Sequence, residues 1–174
     1  MQFWCKTMFL IGQMSPIHVA CTNHNLAIKL HIDLNCNFSL KNFEGMLPLH
    51  IACSKSLECV KIMSKSINND DVMVSDENGD TPLHLALRHN HSNVRYLTSN
   101  FICDVTIPNK SRELPSHLAC ATTLIAVKMV LKCNADVSIN HQTTQGDTPL
   151  HIACRAGALD IVQYLSEFYD CKSS

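Results

Sequence analysis

One seven-residue pattern recurs five times along the chain, and its period constrains the fold more than any local feature does. The segments SPIHVAC (Ser15 to Cys21), LPLHIAC (Leu47 to Cys53), TPLHLAL (Thr81 to Leu87), LPSHLAC (Leu114 to Cys120) and TPLHIAC (Thr148 to Cys154) share Pro, His and Ala at fixed offsets. Their histidines, His18, His50, His84, His117 and His151, are 32, 34, 33 and 34 residues apart. A period of this length marks a repeat architecture and takes precedence over segment-by-segment assignment of helix or strand.

Each copy reads as a helix–turn–helix unit. Thr81, Thr148 and Ser15 offer a side-chain oxygen to cap a helix, and the proline that follows suits the first helical position, where no backbone donor is lost. About eight residues after each histidine comes a second apolar run with helical spacing: Leu26 to Leu34, Leu57 to Met63, Asn93 to Leu97, Leu124 to Leu131 and Leu159 to Leu165. Gly45, Gly79 and Gly146 stand five residues before their histidines, where a tight turn calls for positive φ. A unit of this size cannot bury its apolar face alone, so copies must stack, and the expected fold is an all-α solenoid of helix–turn–helix units joined by β-turn or hairpin loops.

These residues resemble the ankyrin repeat, whose signature is Gly, a spacer, Thr-Pro-Leu-His, Leu-Ala-Ala, a second helix and a Gly-Ala-Asp-Val-Asn turn. Gly146-Asp147-Thr148-Pro149-Leu150-His151-Ile152-Ala153-Cys154 and Gly79-Asp80-Thr81-Pro82-Leu83-His84-Leu85-Ala86 carry the likeness most closely. The resemblance implies five repeats, at residues 13–44, 45–78, 79–111, 112–145 and a truncated 146–174, after an N-terminal segment 1–12. It covers about residues 13 to 174 and also implies that the histidines hydrogen-bond across the turns between repeats.

Several positions depart from the pattern. Gln13 and Arg112 replace the turn glycine, Leu47 and Leu114 remove the capping hydroxyl, and Ser116 stands where Leu is usual. Asn134-Ala135-Asp136-Val137 keeps the closing turn with Asn for Gly, which left-handed geometry tolerates. The first and fourth copies are expected to be the weakest, and Leu47→Thr and Leu114→Thr to stabilise the array if those leucines are exposed. No polar capping repeat follows Leu159 to Leu165, so the expectation is a fragment of a longer array or a partner docked at one end, with Met1 to Met14 the remnant of another second helix.

Composition narrows the function. A hydrophobic content of 46% suits a folded domain, and a net charge of −1 supplies no field to attract nucleic acid or an anionic membrane surface. No run approaches the roughly 20 apolar residues of a membrane span, and Met1 to Met14 lacks a secretory signal pattern. The ten cysteines are therefore expected as reduced thiols in the cytoplasm, with the nucleus also open.

Four His-x-x-Cys pairs, His18/Cys21, His50/Cys53, His117/Cys120 and His151/Cys154, have a spacing that zinc ligands use on a helix. They recur once per repeat, however, which spreads them at roughly 10 Å intervals, too far apart to converge on one ion. Packing is the expected role: each Cys fills a small-residue position. The remaining cysteines, Cys5, Cys36, Cys59, Cys103, Cys133 and Cys171, show no Cys-x-x-Cys spacing. His24, His31 and His141 are scattered, and His89 and His91 read as solvated polar residues. No nucleophile elbow, phosphate-binding glycine loop or paired carboxylates appear. Neither catalysis, cofactor nor metal is expected.

What remains is binding. In the ankyrin family, turn tips and the exposed ends of first helices contact partner proteins. Carried onto this sequence, the tips are Phe43, Glu44 and Met46; Glu77, Asn78 and Asp80; Lys110, Ser111 and Glu113; Gln145 and Asp147. The helix ends are Thr22 and Asn23; Ser54 and Lys55; Arg88 and His89; Ala121 and Thr122; Arg155 and Ala156. Phe43 and Met46 are the expected anchors, with Arg88 and Arg155 as charged contacts. The expected function is a protein-interaction scaffold, monomeric or part of a longer chain. Alternatives are the recognition segment of a larger enzyme, such as a kinase or ubiquitin ligase, or of an ion channel, and a thiol-rich metal or redox protein.

Overall fold

The computed structural model describes residues 14–22, 37–89, 91–134 and 140–173. Among them the regular elements are helices: α1 (Pro16–Cys21), α2 (Pro48–Lys55), α3 (Leu57–Met63), α4 (Pro82–His89), α5 (His91–Asn100), α6 (Pro115–Cys120), α7 (Leu124–Cys133), α8 (Pro149–Arg155) and α9 (Leu159–Ser173). The expected helix over Leu26 to Leu34, the segment Met1 to Gln13 and the turn Ala135 to Val137 lie outside the described residues.

Two compact units divide the chain, residues 1–103 and 104–174. In the first, α1, α2 and α4 pack in sequence as one layer; α3 lies against α2, α5 against α4, and α3 and α5 against each other. In the second, α6 packs on α8 and α7 on α9, while α7 and α9 each return against the first helix of their own hairpin. Each unit is thus a two-layer stack of antiparallel helix pairs.

Local chemistry starts these helices where the pattern places them. Each described first helix opens on its proline. The second helices α3 and α7 open on hydroxyl caps: Ser56 Oγ accepts the Cys59 N–H at 3.2 Å, and Thr123 Oγ1 accepts that of Ala126 at 3.2 Å.

The repeat histidine supplies a cap of a different kind. Its Nδ1 accepts the backbone N–H three residues before it, from Ser15, Leu47, Thr81, Leu114 and Thr148, at 3.0–3.3 Å. This works whether or not the capping residue carries a hydroxyl. Its Nε2 reaches into the following hairpin: His18 to the Met46 carbonyl at 3.0 Å, His50 to the Val74 and Asp80 carbonyls at 3.1 and 3.2 Å, and His117 to the His141 carbonyl at 2.9 Å. A backbone N–H only donates and a carbonyl only accepts, so these three rings are neutral and carry their proton on Nε2. The bonding that the resemblance implied across the turns is present at all three.

Leu47 and Leu114 correct one expectation. They are 2% and 3% exposed, so they add apolar burial to the core while the histidine still caps the helix. Ser116, in place of the usual Leu, is also buried, and its hydroxyl has no hydrogen-bond partner among the described residues. The last helix is a second difference. It runs on to Ser173 rather than ending near Leu165, since no Gly or Pro interrupts it and Gln163 Nε2 donates to Glu167 Oε1 at 3.0 Å one turn on.

Two outcomes are expected. Leu47→Thr and Leu114→Thr should each destabilise the fold by about 1–2 kcal/mol, because lost burial outweighs the gained cap; a raised melting temperature would contradict this. Acid should weaken the stack. Burial holds His18 and His117 below the ordinary histidine pKa and takes His50 down to about 4, against the opposing pull of the Asp76 carboxylate. The unfolded chain therefore takes up protons first, and stability that is complete above about pH 6.5 is lost as pH falls towards 4. Thermal melts across that range, repeated with His50→Ala, should show a smaller pH slope in the variant.

Candidate functional site

The candidate surface is built on the hairpin tips, and one residue that the sequence analysis passed over organises each of them. Asn42, Asp76, Asn109 and Thr143 stand eight residues before their histidines. The backbone N–H of each donates to the carbonyl four residues on, and its carbonyl accepts from the N–H three residues on, at 2.8–3.0 Å. A side-chain oxygen then accepts two further backbone N–H groups inside the tip. For Asn42 these come from Glu44 and Met46 at 3.0 and 2.9 Å; for Asp76 from Asn78 and Asp80 at 2.8 and 2.9 Å; for Asn109 from Ser111 and Glu113 at 3.0 and 2.9 Å. Thr143 makes the longer equivalents to Gln145 and Asp147 at 3.3 and 3.2 Å. All four are buried, so the tips are rigid loops. The signal was readable as Asn, Asp or Thr three residues ahead of the turn glycine.

Neighbouring tips are also joined. The Glu77 N–H donates to the Glu44 carbonyl at 2.9 Å in the first unit, and the Thr144 N–H to the Ser111 carbonyl at 2.9 Å in the second. Gly45 is required at this junction: its φ is 68°, and an added Cβ would lie 3.0 Å from the Glu77 nitrogen. In the Asn109 tip the glycine position is Arg112, which takes φ 59°.

Within this frame, Phe43 is 58% exposed at the apex of its tip, beside exposed Glu44. Met46 is half-buried, and its carbonyl holds His18. Glu77, Asn78, Lys110, Ser111 and Gln145 are exposed, as are Thr22, Lys55, His89, Ala121 and Ala156; Ser54, Thr122 and Glu113 are half-buried. Asn23 lies outside the described residues. Asp80 and Asp147 are buried and face the arginines eight residues later: Arg88 stands 3.6 Å from Asp80, and Arg155 donates to Asp147 at 2.6 Å. These arginines brace the tips from the ends of their helices. The Glu113 carboxylate accepts from Asn109 Nδ2 at 2.9 Å.

Three of the four His-x-x-Cys pairs, His18/Cys21, His50/Cys53 and His117/Cys120, are built as packing. Neither nitrogen of His18, His50 or His117 presents a free lone pair, because Nδ1 accepts a backbone N–H and Nε2 carries the proton. Cys21, Cys53 and Cys120 are buried thiols whose pKa burial pushes upward, that of Cys120 to about 12. Cys154 is exposed. Among the described residues, no three His, Cys, Asp or Glu side chains gather as a metal would need, and no helix is long and apolar enough to cross a membrane.

The family model for ankyrin repeats matches residues 17–109 and 101–173. The chain belongs to the ankyrin-repeat family. Among curated proteins, this ankyrin array is similar to inversin of Canis lupus familiaris, 27% identical over 167 residues that make up 92% of the chain and 15% of that protein. It is 26% identical to the tyrosine-protein kinase HTK16 of Hydra vulgaris, over 94% of the chain and 24% of the kinase. It is 25% identical to the human transient receptor potential cation channel subfamily A member 1, over 86% of the chain and 14% of the channel protein. The array spans about a quarter or less of the length of each.

Arg112 yields a direct test of the tip geometry. A left-handed conformation costs an L side chain on the order of 1 kcal/mol, and Arg112 is exposed, so Arg112→Gly removes strain without removing packing. It should raise stability by about 0.5–1 kcal/mol after the entropy gained by the unfolded chain. A lower denaturation midpoint would show that the arginine is held by contacts that outweigh the strain.

Proposed function

We propose that this ankyrin array is a non-catalytic protein-interaction module whose partner lies against the hairpin tips and the adjoining ends of the first helices. The five repeats bounded at 13–44, 45–78, 79–111, 112–145 and 146–174 are its units. The observation that carries this reading is Phe43, a large aromatic side chain left exposed on a loop that Asn42 locks from below. A rigid aromatic loses little conformational freedom on binding, which is what an interface anchor requires. Glu44, Lys55, Glu77, Asn78 and His89 in the first unit, and Lys110 in the second, are exposed polar contacts. Met46, Ser54 and Glu113 contribute partly covered surface, while Asp80, Arg88 and Arg155 act by bracing the tips. A reducing, intracellular setting, in the cytoplasm or the nucleus, goes with the free thiols of the described cysteines.

A second reading makes the array the recognition segment of a larger enzyme or ion channel. It is supported by the likeness to a tyrosine-protein kinase and to a cation channel, each over a minor part of that protein's length.

The test is affinity capture from a cell lysate with the wild-type chain beside Phe43→Ala and Met46→Ala, each checked for folding by circular dichroism. A partner held by the wild type should be lost from Phe43→Ala with a cost of about 2 kcal/mol, roughly 30-fold in affinity. Capture unchanged in both folded variants would remove these tips from the interface.

A further inference from the structure

The cations near the tips fall into two classes. In the His84 and His151 copies, the arginine four residues after the histidine is neutralised by the aspartate four residues before it, Arg88 by Asp80 and Arg155 by Asp147. In the His117 copy that brace is missing, because Ala121 occupies the arginine position. Glu113, at the aspartate position, gives its carboxylate to Asn109 Nδ2 at 2.9 Å. The positive charge has moved to the apex instead. Lys110 and Arg112 are both exposed, and among the described residues neither has an ion-pair or hydrogen-bonding side-chain partner.

Arg112 also holds its place against the backbone. It stands at φ 59° where the neighbouring tips carry glycine at Gly45, Gly79 and Gly146, and an exposed side chain gains no burial to offset a left-handed conformation. Strain retained where a simpler residue fits points to use of the side chain by something outside the fold. We propose that the Lys110-Ser111-Arg112 tip is a subsite for an acidic peptide segment of the partner. The inference rests on the tips being the binding face and names the chemistry that one of them selects. Two unpaired cations flanking the Ser111 hydroxyl offer a bidentate guanidinium and an ammonium to side-chain carboxylates. The chain's net charge of −1 leaves no broad positive field for a long polyanion, which favours a short acidic stretch over nucleic acid.

The test is an amide NMR titration of the full chain with decaglutamate, with decalysine and a single-stranded decanucleotide as comparisons. Decaglutamate should shift the resonances of Asn109 to Glu113, with an affinity that falls as salt rises. Lys110→Ala and Arg112→Gly should each weaken it about two- to fivefold, and Arg112→Lys, which keeps the charge but not the bidentate fork, should weaken it less than Arg112→Gly. The melting temperature of Arg112→Gly is measured alongside, and weaker binding by a variant that melts no lower than the wild type does not come from unfolding. Unchanged decaglutamate affinity in Arg112→Gly, shifts centred elsewhere, or tighter binding of the oligonucleotide at this tip would overturn the proposal. Loss of partner capture by Phe43→Ala alongside any of those results would leave the binding face standing and remove only its acidic specificity.

Discussion

The histidine ring that recurs in each copy joins two scales of structure. Nδ1 closes the open end of the helix on which the ring sits, and at His18, His50 and His117 Nε2 holds a carbonyl of the next hairpin. One neutral side chain therefore satisfies an orphan helix donor and a buried loop acceptor, each of which would be costly to leave unpaired. The geometry demands burial, because water would compete for both atoms. Burial in turn demands small neighbours, which is why Ala20, Ala52 and Ala119 and the thiols of Cys21, Cys53 and Cys120 follow at fixed offsets and are almost wholly covered. What resembles a row of metal ligands is the residue set that lets neighbouring helices approach around the ring.

That arrangement relieves the capping residue of its usual duty. The side chains of Leu47 and Leu114 cannot accept a hydrogen bond, yet α2 and α6 start at the same register as α8, where the Thr148 hydroxyl does. Freed of capping, the two leucines serve the core. Cross-layer contacts extend the same economy: Asn93 Nδ2, fully buried on α5, donates to the Ala52 and Cys53 carbonyls at 3.2 and 2.7 Å and covers the C-terminal end of α2.

The tips divide support from display. Asn42, Asp76, Asn109 and Thr143 spend their side chains on the backbone of their own loops, and Asp80 with Arg88 and Asp147 with Arg155 brace two of those loops against the helices behind them. Residues at the apex are left to face outward: Phe43 and Glu44 on one tip, Lys110 and Arg112 on another. Because the loops are held from below, their exposed side chains differ from tip to tip without disturbing the stack, which gives a fixed scaffold a variable surface.

Much of this was legible in the sequence because it is local. The period, the proline at each helix start, the second apolar runs and the glycine turns depend on residues a few positions apart, and the described elements follow them. The roles of individual polar residues were harder to read although their partners stand only two to eight residues away, since which way such a side chain turns depends on the burial that stacking imposes. Only the packed structure decided that Leu47 and Leu114 are interior, and that Asp80 and Asp147 turn inward to the arginines. It likewise decided that Asn42 and its counterparts clamp their own loops, and that Arg112 keeps a glycine's backbone while its charge has no partner among the described residues. A repeating pattern determines where helices and turns fall; burial is set by what the neighbouring copy places opposite, about 30 residues away, whereas the ion pairs at the tips close within one copy.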